Sequence, residues 1–137
     1  MADIAITAAN VVASSTAVIR REYTAGATIT AGQVVYLNAS NQWALADANA
    51  FLGTATTDLR GISLNGASSG QPLAVVTSDP SFTCGGTIAS GTSYYLSVTA
   101  GGITATLPTT GDKPVFLGLG NSTTALVLNP TATGVTI

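Results

Sequence analysis

Ala27-Thr28-Ile29-Thr30-Ala31-Gly32-Gln33-Val34-Val35-Tyr36-Leu37 returns as Gly86-Thr87-Ile88-Ala89-Ser90-Gly91-Thr92-Ser93-Tyr94-Tyr95-Leu96, a shift of 59 residues that keeps Thr, Ile, Gly, Tyr and Leu in register. In the first copy Ala31-Gly32 reads as a turn and Gln33 to Leu37 as a strand of β-branched and aromatic residues. The chain then passes through Asn38-Ala39-Ser40-Asn41, a hairpin loop, and returns along Trp43-Ala44-Leu45-Ala46. Strand side chains alternate, so Trp43 and Leu45 take one face and Ala44 and Ala46 the other. The second copy repeats this around Gly101-Gly102 with one residue inserted in the loop, which sets Ile103, Ala105 and Leu107 on one face. Each hairpin has one apolar side, and two such hairpins can close on each other. The expected fold is all-β, a small sandwich or barrel built from two related hairpin-containing halves.

A further unit follows each copy. Gly61-Ile62-Ser63-Leu64-Asn65, a Gly/Ser loop and Leu73-Ala74-Val75-Val76 have their counterpart in Phe116-Leu117-Gly118-Leu119-Gly120, a shorter turn at Asn121-Ser122-Thr123-Thr124, and Leu126-Val127-Leu128. The continuous apolar runs read as strands covered on both faces. Residues 1–16 alternate weakly, are rich in Ala and Val, and lie outside both copies; they read as an extended N-terminal arm that serves as a tether. Residues 17–137 then form a single β-domain with its duplication at about 27–48 and 86–107. Asp47 to Asp58 is the one place for a short helix or irregular loop.

Charged side chains make up 7% of the 137 residues, against about 25% in a typical soluble domain. Charge depletion marks interface cores, and interspersed charge is what keeps small domains apart. The composition therefore points to a chain that works in an assembly. Net charge is −2, with only four basic residues, Arg20, Arg21, Arg60 and Lys113. Nucleic acid needs clustered Lys and Arg, so it is not the expected partner. No run of 18 apolar residues is present and Met1-Ala2-Asp3-Ile4-Ala5 carries no basic leader region, so neither a membrane helix nor a secretory signal is expected. Synthesis in a cytoplasm is expected, and Cys84, the sole cysteine, reads as buried filler.

Acid/base chemistry near neutral pH uses His or a carboxylate in a special environment. His is absent, and the acids Asp3, Glu22, Asp47, Asp58, Asp79 and Asp112 show no paired spacing, so each reads as a solvated turn or strand-end residue. Nothing has metal-ligand spacing, and Gly118-Leu119-Gly120 lacks the third glycine of a nucleotide loop. No enzyme, metal or cofactor site is expected. The candidates for partner contact are the apolar arm residues Ile4, Ile6, Val11 and Val12, and the charge cluster at Arg20 and Arg21, which could meet an acidic surface. One ring of the Tyr94-Tyr95 pair must point outward, and Tyr94 is assigned that role.

Taken in order, Ala8-Ala9-Asn10-Val11-Val12, then Ala25-Gly26-Ala27-Thr28-Ile29-Thr30-Ala31-Gly32-Gln33-Val34-Val35-Tyr36-Leu37, then Arg60-Gly61-Ile62-Ser63-Leu64-Asn65 with Gly70-Gln71-Pro72-Leu73, the chain resembles the small capsid decoration (cement) proteins of tailed bacteriophages over most of its length. The resemblance implies a β-rich virion protein, made in the host cytoplasm, that binds the major capsid protein on the outer surface of an assembled shell. It also implies a homo-oligomer, a trimer by preference, and carries no catalytic residues. An arm of 16 residues would reach up to roughly 53 Å at about 3.3 Å per residue, enough to tie a neighbour. A rival expectation from the same composition is a β-rich receptor-binding, tail or fibre module.

Overall fold

A computed structural model describes residues 3–38, 40–46, 48, 60–107 and 115–132. Asp47, Asp58, Asp112 and nearly all of the stretch expected to be helical or irregular lie outside them. The strands are β1 (Val11–Val12), β2 (Val18–Arg20), β3 (Thr24–Ala25), β4 (Val34–Leu37), β5 (Gln42–Leu45), β6 (Arg60–Ser63), β7 (Val75–Cys84), β8 (Ser93–Leu96), β9 (Ile103–Thr104), β10 (Val115–Gly120) and β11 (Ala125–Ala132), with a 3-10 turn at Ala8–Asn10. They hydrogen-bond in the order β3-β5-β4-β6-β7-β11-β10-β8-β9, with β1 and β2 also on β7. Every pairing is antiparallel except β3 with β5. The path does not close, so the fold is an all-β sandwich and not a barrel.

β7 makes the two layers. Its first residues pair with β6 and β2, and its later residues, from Asp79 onward, pair with β11 and β1. Register shifts on both neighbours flank Asp79-Pro80, and such irregularities bend a strand and turn a sheet's corner. Pro80, which has no N–H to give a ladder, sits at that corner.

The duplication covers four strands in each half. β5-β4-β6-β7 and β9-β8-β10-β11 have the same order, joined through their last members. Val35 opposes Gly61 in the first half, and its counterpart Tyr94 opposes Gly118 in the second. The turn glycines Gly32 and Gly91, both at positive φ, donate to the carbonyls of Ser63 and Gly120 at 2.9 and 2.8 Å. A Cβ on Gly61 would overlap the carbonyl oxygen of Val76, and one on Gly118 that of Val127. The same close strand approach is therefore built twice.

Equivalent faces do different work in the two halves. Val35, Leu37, Trp43 and Val75 face a small core completed by Ala25, Ile29, Ala67 and Leu73. Here the segment around Ile29 and the loop after β6 fold over the sheet, Ile29 and Ala67 exchanging backbone hydrogen bonds at 2.8 and 2.9 Å. Their counterparts Tyr94, Leu96, Ile103 and Leu126 belong instead to the central core, together with Val34, Ile62 and Val76 from the opposite face of the first sheet. The halves are thus stacked head to tail, the first sheet's inner face on the second sheet's equivalent of its outer one.

The expected N-terminal arm is extended, but it does not stand off as a tether. Ile4, Ile6, Val11 and Ala13 pack on the central core, Ile4 and Thr7 donate to the carbonyls of Ile103 and Gly85 at 2.8 Å each, and β1 pairs with β7. Residues 3–16 form a strap across the protein's own sandwich. Their apolar side chains find a seat there that was not visible from the repeat.

Candidate contact surface

The second sheet's outer face has no layer over it among the described residues. Directly opposed residues of neighbouring strands share a face, so the register places Val12, Thr83 and Ala125 in one row and Val127, Leu119 and Ser93 in the next. Tyr95 and Phe116 continue it, their rings edge to face with centroids 6.1 Å apart. Val12, Leu119 and Val127 are 56%, 43% and 41% exposed, whereas Ile62 and Val76, the counterparts of Leu119 and Val127, are fully buried. None of these face residues is charged. The face is a sandwich interior in character with nothing packed on it, which is how protein-binding patches are built.

Of the residues singled out from sequence, only Val12 belongs to this face. Ile4, Ile6 and Val11 are partly buried against the central core. Tyr94 points inward: it is 5% exposed and its hydroxyl accepts the Ala89 N–H at 2.9 Å. The assignment of Tyr94 as the outward ring is corrected to Tyr95. The cause is register, since Tyr94 opposes side-chain-free Gly118, which leaves room for its ring inside. Trp43 is buried in the first half's own core.

Arg20 ends β2 and Arg21 follows it, away from the apolar face. Arg20 pairs with Glu22 at the surface, and that hydrogen bond and the attraction between the two charges hold the Glu22 carboxyl below its ordinary value and the Arg20 guanidinium above its own. Glu22's small contribution is complete above the ordinary carboxylate range and is lost as pH falls through its lowered value. Arg21 is exposed. Exposed pairs contribute little and are screened over about 8 Å at physiological salt. Partner binding should therefore persist when salt is raised to about 0.5 M, read by co-sedimentation; release at that salt would mean that the arginines carry it.

Two acids are not the solvated residues expected. Asp79 is 1% exposed and accepts the Ser14 N–H at 2.8 Å, the Ser81 N–H at 2.9 Å and the Ser14 hydroxyl. Asp3 accepts the Ser97 hydroxyl at 2.6 Å. These carboxylates fasten the two ends of the strap. Asp79 next to Pro80 looks like a turn in sequence, and its partner Ser14 lies 65 residues away, so no local signal could have shown it. Cys84 is buried, its thiol 3.7 and 3.6 Å from the carbonyls of Gly86 and Thr124.

Two open grooves flank the strap, about 580 and 220 Å³, lined mainly by Ala, Thr and Gly. Among the described residues no three His, Cys, Asp or Glu side chains gather as a metal site, and no helix is long and apolar enough to cross a membrane. What the arrangement offers is contact area. No protein-family model matches this sequence, and no curated protein matches it.

Proposed function

We propose that this chain is a structural virion protein that docks on the outer surface of an assembled phage shell, through the outer face of its second sheet, and stabilises that shell. The observation that carries the reading is the uncharged, exposed face of Val12, Leu119 and Val127: Ile62 and Val76, the first-half counterparts of Leu119 and Val127, are buried in the central core. The resemblance to capsid decoration proteins names the partner, the major capsid protein, and a trimer as the assembled form.

The mechanism is physical. A standard interface hides about 800 Å² on each partner. Repeated over a shell, such contacts stabilise the state that displays the site, by about 2.7 kcal/mol per site at a hundredfold excess of free protein over its dissociation constant. Shells lacking the protein should assemble normally yet rupture at lower temperature or on removal of divalent ions, and purified protein added back should restore them. Shells that never form without it would make it a scaffold. Shells equally robust without it, with the protein found on host cells or as filaments, would favour a receptor-binding or fibre module.

A further inference from the structure

Four glycines, Gly32, Gly85, Gly86 and Gly102, make the strap's seat. A Cβ on Gly32 would overlap Ile6, one on Gly85 would crowd the Thr7 carbonyl and Val11, one on Gly86 would crowd Ile4 and the Ala5 carbonyl, and one on Gly102 would meet the Asp3 carboxylate. The duplication supplies the control. Gly91, the counterpart of Gly32, has open space at its Cβ; Gly26, the counterpart of Gly85, is also glycine; and the positions matching Gly86 and Gly102 in the first half are Ala27 and Gln42, side chains that the strap would not admit. The track is thus shaped to one particular segment, residues 3–12 of this sequence.

That segment is thinly attached between its fastened ends. Ala5 and Thr7 through Asn10 are exposed, and β1 contributes two pairs, Val11 with Cys84 and Val12 with Thr83. Short, exposed, sparsely bonded elements open at a small fraction of a fold's full stability. The Ser14–Asp79 clamp holds the point where the strap leaves the body, so residues 3–13 can lift while the sandwich stays folded.

We propose that the track is a strand-acceptor site for a second copy of this chain, and that neighbouring copies exchange residues 3–12. The contacts made in exchange are the same as those made within one chain, so the choice rests on local concentration: a short flexible connection presents its own strap at about millimolar effective concentration, and copies crowded on a surface reach that range. Exchange of an identical element is a low-cost route to linked protomers. Ten extended residues span about 33 Å, which sets how close the neighbour must be. The idea goes beyond docking on a shell, and its test needs none.

Two single-cysteine chains test it, both with Cys84→Ser: one carries Val12→Cys, the other Thr83→Cys. A disulfide between them forms efficiently when the strap of one lies on β7 of the other, and otherwise only by chance collision. The chains are mixed at millimolar concentration, equilibrated, diluted, oxidised and run on a non-reducing gel. A third chain with Ala9→Cys, exposed and out of register with Thr83, controls for chance collisions. Neighbouring antiparallel pairs alternate between wide and close spacing, so Val11→Cys in a chain with Val12 intact, mixed with a chain bearing only the native Cys84, covers the other spacing. Mixed dimers several-fold above the control in either pair are expected, fading when the mixture is held dilute before oxidation. Mixed dimers at the control level in both pairs would overturn the proposal.

Discussion

Gly118→Val should cost about 3 kcal/mol of folding stability, at the upper end of what overpacking does, and Gly61→Val should cost as much. In each case the nearest atom to the new Cβ is a backbone carbonyl oxygen, of Val127 or Val76, which cannot swing aside as the neighbouring Leu126 or Val75 side chain could. The sheet cannot yield without breaking the β10–β11 or β6–β7 ladder. Gly66 is the comparison: its nearest heavy atom is the Ile29 carbonyl oxygen at 3.7 Å, so Gly66→Ala should stay within about 0.5 kcal/mol. Denaturant unfolding of the three variants checks this. Small losses at Gly61 and Gly118 would contradict the tightness of the two close approaches, and clearly unequal ones would mean that they are not structural equivalents.

Those glycines also show how far the sequence could be read. The 59-residue repeat places β4, β5, β8 and β9, and the one-residue insertion in the second loop is visible in the pairing of Leu37 with Trp43 and of Leu96 with Ile103. The second pair of strands in each half was readable as a related unit. How the halves meet was not. Val34 and Ser93 occupy equivalent positions, as do Ile62 and Leu119, and one member of each pair is core while the other is surface. Periodicity assigns a residue to a face of its own strand, but it does not say which faces then find each other.

The strap and its clamp were hidden for a related reason. Ile4, Ile6 and Val11 look like a free apolar arm until Gly32, Gly85, Gly86 and Gly102, drawn from three separate loops, are brought together beneath them. Tyr94 and Tyr95 could be told apart only once the partner strand was known. Of the contact surface, Val12 was legible as a candidate contact; Val127 sits in a run, Ala125–Leu128, that reads as doubly covered, Leu119 in the glycine-punctuated run before it, and among the described residues no layer covers either.

Leu119→Asp combined with Val127→Asp should abolish docking while leaving the fold intact. Both side chains are exposed, so no core contact is lost, and the two carboxylates, directly opposed across β10 and β11, lower stability only modestly. Only about two-fifths of each side chain is left to bury, worth about 1 kcal/mol apiece, so losing both should weaken binding by about tenfold or more, before the cost of burying two carboxylates is added. Arg21→Ala, remote from the face, should bind as the parent does.

The most direct measurement is co-sedimentation of purified protein with shells that lack it, comparing the parent, Arg21→Ala and the doubly substituted chain, with unfolding curves taken in parallel. The parent and Arg21→Ala should pellet with the shells, and the doubly substituted chain should stay in the supernatant while still unfolding cooperatively, at a modestly lower denaturant concentration. A folded, doubly substituted chain that pellets as the parent does would contradict the assignment of this face as the contact surface.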